Sequence, residues 1–162
     1  MNSFYATKKL MLLLVMLGLG GCGQRSDHDH AHSHSHQPPH GGIALELGTH
    51  QFNLELVLDP PAGRLQAYVF DAHMENFVRI KVESFELLVP NASPSQTLVL
   101  KPVANAATGE KIGDSSLFEV QADWLKTNQT FDAVLKELSI RSKKFTNIAV
   151  RVEAAKPSPN AK

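Results

Sequence analysis

Phe52-Asn53-Leu54-Glu55-Leu56-Val57-Leu58-Asp59-Pro60-Pro61-Ala62-Gly63-Arg64-Leu65-Gln66-Ala67-Tyr68-Val69-Phe70-Asp71 is the stretch on which the fold turns. Phe52, Leu54, Leu56 and Leu58 share one parity, the period-2 pattern of a strand with one face in a core. Asp59-Pro60-Pro61-Ala62-Gly63 interrupts it. Proline fixes φ and removes a backbone donor, glycine admits the conformations a reversal needs, and the chain turns back. Residues 65–71 then resume as a second strand. Two strands joined by a short turn are a hairpin, and hairpins build antiparallel sheets.

Upstream, Ile43, Leu45 and Leu47 alternate with Ala44 and Glu46, and Gly48-Thr49-His50 turns into the hairpin. Downstream, residues 72–76 form a loop. Residues 77–90 hold one or two strands, with Val78, Ile80 and Val82, then Phe85, Leu87 and Val89, in alternation. Residues 91–96 turn back into a strand over 97–103. Residues 104–115 lack an apolar pattern and read as a surface loop. A short strand at 117–120, a helical turn at 122–126 that tucks in Trp124, and strands from Phe131 to Ile140 and from Phe145 to Val152 complete the pattern. About eight short strands with turns every ~8–12 residues predict an all-β fold, a single antiparallel β-sandwich over residues 41–153. Its roughly 110 residues suffice for a core without disulfides. Residues 154–162 are expected to be a disordered tail.

Ahead of the sheet the character changes. Asp27-His28-Asp29-His30-Ala31-His32-Ser33-His34-Ser35-His36-Gln37-Pro38-Pro39-His40-Gly41-Gly42 holds six of the 8 histidines and, apart from its two prolines, one alanine as its aliphatic side chain. Without hydrophobic periodicity, residues 22–40 are expected to be a disordered linker. Neutral imidazole is a nitrogen donor for zinc, nickel or copper(II), so His28, His30, His32, His34, His36 and His40 are the candidate metal ligands. Alternate residues of an extended chain lie on one face ~6.6 Å apart, and a modest bend brings neighbouring rings onto one ion. Several interchangeable, labile binding modes are therefore expected rather than one fixed site. Affinity should fall as pH drops through ~6.5, where imidazole protonates. Asp27 and Asp29 add carboxylate oxygens. His50 and His73 read first as surface-loop residues and second as weaker ligands, His73 because Asp71-Ala72-His73-Met74-Glu75 gathers oxygen, nitrogen and thioether donors. His40 meets His50 only if the sheet brings the two ends of the first strand together. Gly41-Gly42 reads as backbone freedom at the domain's threshold.

The N-terminus carries a second motif. Lys8-Lys9 precede an uncharged run from Leu10 to Gly21. That run would be about 18 Å long as a helix, short of a ~30 Å bilayer core but fitting for a signal-peptide h-region. It ends Leu19-Gly20-Gly21-Cys22, which resembles the lipobox of bacterial lipoproteins. The resemblance implies that residues 1–21 are a signal peptide, removed before Cys22, and that the Cys22 thiol carries a diacylglycerol. Cys22 is the 1 cysteine of the chain, so no disulfide competes for it. Gly23 after the lipidated residue implies the outer membrane, with the protein facing the periplasm.

A second resemblance spans residues 38–71. The order of a His-rich tract, Pro39-His40-Gly41-Gly42, a strand ending Leu47-Gly48, a strand with Leu54-Glu55-Leu56-Val57, and Tyr68-Val69-Phe70-Asp71 is similar to small His-rich envelope proteins and to the N-terminal regions of heavy-metal efflux adaptor subunits. It implies a compact β-domain associated with divalent-metal handling and no catalytic activity. It does not extend to a second His-rich tract, which residues 154–162 lack.

Lys and Arg number 16 and Asp and Glu 16, scattered along the chain, so nothing favours nucleic acid. Gly-x-Ser-x-Gly, a phosphate-binding glycine loop and His-Glu-x-x-His are all missing, which argues against an enzyme. The sequence therefore predicts a lipid-anchored envelope protein that binds divalent metal through its linker, for buffering, delivery or efflux, with a metal efflux or transport complex as partner. The alternative is an interaction lipoprotein whose β-domain binds a protein and whose histidines are a spacer.

Overall fold

The computed structural model describes residues 37–155. Eight strands, β1 (Ile43–Leu47), β2 (Phe52–Asp59), β3 (Arg64–Asp71), β4 (Phe85–Val89), β5 (Gln96–Pro102), β6 (Leu117–Gln121), β7 (Thr130–Ile140) and β8 (Lys143–Glu153), form one antiparallel sheet. Their spatial order is β1-β2-β3-β6-β5-β4-β7-β8. The hairpin expected at residues 52–71 is present, with Phe52 opposite Asp71 and Asp59 opposite Arg64. At its tip the Gly63 N–H donates to the Pro60 carbonyl at 2.8 Å, and Gly63 takes a φ of 63°. Consecutive strands β3 to β6 lie in the order 3-6-5-4, a Greek key, and β4 to β7 repeat it as 6-5-4-7.

The all-β antiparallel prediction holds, with one refinement. The strands make one nearly closed, barrel-like sheet rather than two stacked sheets. β1 covers only part of the β2 edge, since Ile43 pairs with Leu56 and Leu47 with Phe52. Beyond it, Ala154 at the end of β8 bridges Leu58 in parallel, and the Ala155 N–H donates to the Leu58 carbonyl at 3.0 Å. At the opposite end of β1, the Phe145 ring meets Phe52 edge-on at 6.1 Å. The seam is thus held at both ends. Strand alternation alone cannot tell these architectures apart, because sandwich and barrel strands both send alternate residues inward.

The interior is filled by the inward parity of each strand, including Leu47, Leu54, Leu56, Leu65, Leu87, Leu100, Phe118 and Leu135, all fully buried. Small barrels are filled in this way by side chains rather than enclosing a channel. Residues 77–90 contribute one strand, β4. Phe77 and Ile80 make only isolated bridges, to Phe70 and Ser115. The helical turn is a 3-10 segment at Asp123–Lys126, in which Leu125 is fully buried while Trp124 lies half-buried against Phe131, ring centroids 5.0 Å apart. No helix among the described residues is long and apolar enough to cross a membrane.

Candidate functional site

The histidine tract reaches the barrel at its last member. Residues 38–42 form a strap over the outer face of β2. The Gly41 N–H donates to the Pro38 carbonyl at 3.1 Å, and Gly41 takes a φ of 74°, in the region glycine enters without strain. Gly42 lies so close to β2 that a Cβ there would sit 2.4 Å from the Leu56 carbonyl oxygen. Its missing side chain is what allows the strap to seat.

Beneath the strap is Glu55, on the outward parity of β2 yet 0% exposed. Its Oε1 accepts the backbone N–H of His40 at 2.8 Å and of Gly42 at 3.0 Å. Its Oε2 lies 2.7 Å from His40 Nδ1. A buried carboxylate is costly unless its lone pairs are met, and the strap meets them from two residues. A carboxylate oxygen accepts, so the hydrogen of that contact is on Nδ1, and the lone pair of a neutral ring is on Nε2.

Aromatic rings fix the imidazole from its faces. His40 stacks on Tyr68 with centroids 3.9 Å apart and planes 10° from parallel. Phe70 and Phe77 lie at 6.2 and 6.1 Å from it and stack on each other at 4.7 Å. Burial, and then the negative charge of Glu55, pushes the Tyr68 phenol above its ordinary range. Phe77 forms the outer rim, 55% exposed.

A cavity of about 250 Å³ opens beside this cluster, lined by Tyr68, Phe77, Arg79, Asn105, Thr108 and Glu110 among others. Glu110 belongs to a polar knot that ties down the loop after β5. Its Oε1 accepts the Ser116 N–H at 2.8 Å and the Ser116 hydroxyl, and its Oε2 accepts the Thr108 hydroxyl at 2.9 Å. Burial would raise this carboxyl, but the Ser116 and Thr108 donors and the Arg79 charge outweigh it and hold it below its ordinary range.

The remaining sequence candidates separate. His40 and His50 sit beyond opposite ends of β1, whose five residues at ~3.4 Å each span about 17 Å, and they do not meet. His50 is exposed in the β1–β2 turn, where its N–H donates to Glu46 Oε1 at 2.7 Å. His73 lines a different cavity, of about 380 Å³, with Asp71, Arg141 and Lys143. Met74 is buried, and the Asp71 carboxylate accepts the Glu75 N–H at 3.0 Å and the Asn76 amide at 2.7 Å. Burial would raise the Asp71 carboxyl, and these donors more than offset it, holding it low. Among the described residues no three His, Cys, Asp or Glu side chains gather as a metal-binding group. Cys22, Asp27, Asp29, His28, His30, His32, His34 and His36 lie outside the described residues.

Glu55, Tyr68 and Phe77 carry the site, and the sequence marks none of them as a site residue; Glu55 and Tyr68 enter there only within Leu54-Glu55-Leu56-Val57 and Tyr68-Val69-Phe70-Asp71. Glu55 sits where an alternating strand places a solvent-facing residue, and what covers it comes from 15 positions upstream. The Gly41-Gly42 pair, read from the sequence as backbone freedom, is a signal of the strap, since close approach to another backbone is a further reason for glycine. Comparison with family models, with curated proteins and with solved structures gave no match.

Proposed function

We propose that this chain is a membrane-anchored periplasmic lipoprotein that captures a divalent transition metal (zinc, nickel or copper(II)) through the histidines of residues 27–40. The barrel would hold that metal beside a transport, efflux or other envelope partner. The observation that carries this reading is the continuity of the tract with the fold. Six histidines lie in a stretch that runs into the barrel wall, where His40 is bonded to the buried Glu55. A spacer has no need of such a seat, whereas a ligand-bearing arm gains a defined position for its load. The lipobox-like Leu19-Gly20-Gly21-Cys22 supports the membrane attachment, and the reading assigns the protein no catalytic step.

The test is calorimetric titration of zinc, nickel and copper(II) into the full chain and into a variant with His28, His30, His32, His34 and His36 all replaced by serine. We expect binding in the parent chain and loss of most of its capacity in the variant. Exposed Phe77 favours the rival reading, a protein-docking lipoprotein with a histidine spacer. Equal titrations from the two chains would establish that reading instead.

A further inference from the structure

We infer that the cavity between the β7–β8 turn and the loop after β3 binds a small organic carboxylate, its acid group on Arg141 and Lys143 and its apolar body against Phe52. The site is separate from the histidine tract, and the inference goes beyond metal capture without resting on it.

The hairpin sets the cations in place. Ile140 pairs with Lys143, so Arg141 and Ser142 alone make the turn. Two-residue hairpin turns need a positive φ at the first central position, and glycine, asparagine or aspartate ordinarily meets that need. Here Arg141 takes it, with a φ of 55°. Its side chain does what theirs cannot: the guanidinium carbon lies over the Phe52 ring, 5.5 Å from the centroid. Phe52 is buried and met edge-on by Phe145, so the ring is a firm platform that holds the cation by its π face. Register supplies the second cation. Opposed residues of an antiparallel pair share a face, so Lys143 leaves its strand on the side that Ile140, fully buried, turns to the core. Phe52, Ile140 and Lys143 are all strand-end residues, which puts the cavity at one mouth of the barrel, a usual place for a small-molecule pocket.

Charge then defines the ligand. Among the described residues, Arg64, Arg79 and Arg151 each come within 3.8 Å of a carboxylate oxygen, whereas Arg141 and Lys143 have no ion pair. The cavity wall holds one acid, Asp71, whose carboxylate already accepts the Glu75 N–H and the Asn76 amide. Two cations against one carboxylate leave a single positive charge, which suits a monoanion. The guanidinium fork matches the two oxygens of a carboxylate. Phe52 and Ile140 make an apolar wall, and about 380 Å³ leaves room for a body as well as an acid group.

Cations on a solvated turn attract any anion by charge alone, whereas a site reads both ends of its ligand. The experiment is a titration of the 15N-labelled full chain with benzoate and hexanoate, followed through the backbone amides of residues 72–73 and 141–143. Benzamide, which keeps the ring without the charge, and inorganic phosphate, which keeps charge without the body, are titrated beside them. We expect saturable shifts at these amides with both carboxylates, and binding at least tenfold weaker with benzamide and phosphate. Arg141→Gln should lower the benzoate affinity about tenfold, the worth of one charge-assisted hydrogen bond. The parent-chain comparison needs no variant, so it decides the matter even if Arg141→Gln disturbs the turn. The inference is overturned if neither carboxylate gives a saturable shift, or if benzamide or phosphate binds as well as benzoate. An unchanged benzoate affinity in a folded Arg141→Gln chain overturns it too.

Discussion

Gly42 has no room for a side chain, and that single fact couples the tract to the barrel. A Cβ there would overlap the Leu56 carbonyl oxygen, a backbone atom that cannot swing aside. Gly42→Ala should destabilise the domain by about 1–3 kcal/mol, the usual range for forced overpacking. It should also lift His40 from Tyr68. Urea unfolding gives the first quantity and the Tyr68 ring shifts the second; an unchanged midpoint with unchanged shifts would mean that the strap does not bear on the fold. The pair Gly41-Gly42 could be read from the sequence as a place of backbone freedom, but not what the freedom was for. That depends on Glu55, and whether an outward strand residue is covered is decided by a segment distant along the chain. The period of a strand records which way a side chain points and is silent about what lies on top of it.

At the scale of elements, the parity of apolar residues was a sufficient guide. β2, β3, β7 and β8 begin and end close to where alternation places them, because each has a face in the core and a one-residue slip would expose it. Residues 77–90 were less legible. Val78 and Ile80 are buried as a strand pattern demands, yet Phe77 and Ile80 make only isolated bridges. The loop after β5 also holds more than its sequence discloses, since Glu110 organises it through Ser116 and Thr108. Glu110→Gln should cost about 1–3 kcal/mol by leaving buried donors poorly met. The pH dependence has a definite sign. The Glu110 and Asp71 carboxyls titrate lower in the fold than in the unfolded chain, so their stabilisation is present above the unfolded values, about 4. It is lost as pH falls through the folded values. Thermal unfolding tracked from pH 6 down into this acid range should show Tm falling, and falling less steeply in Glu110→Gln; parallel curves would contradict the assignment.

For the whole molecule, the decisive question is closure. β1 is too short to occupy the full β2 edge, and β8 completes the circuit at Leu58 while Phe145 fills the other end against Phe52. Phe145→Ala should cost about 3–5 kcal/mol, as for other buried phenylalanines, and amide exchange should accelerate along β1 before it does in β4 or β5. Uniform acceleration across all strands would show that the seam has no separate weakness. Closure could not be read from the strand pattern, because it depends on lengths and tilts that alternation does not encode.

The two margins of the domain fasten to the same strand. His40 is moored at Glu55 and Ala155 at Leu58, three positions apart on β2, or about 10 Å along it. Tension applied through the chain at both margins would therefore load a short stretch of one strand instead of pulling across the barrel's diameter. With its two margins fastened so close together, the domain could be spliced into a surface loop of a host protein without prising the host apart.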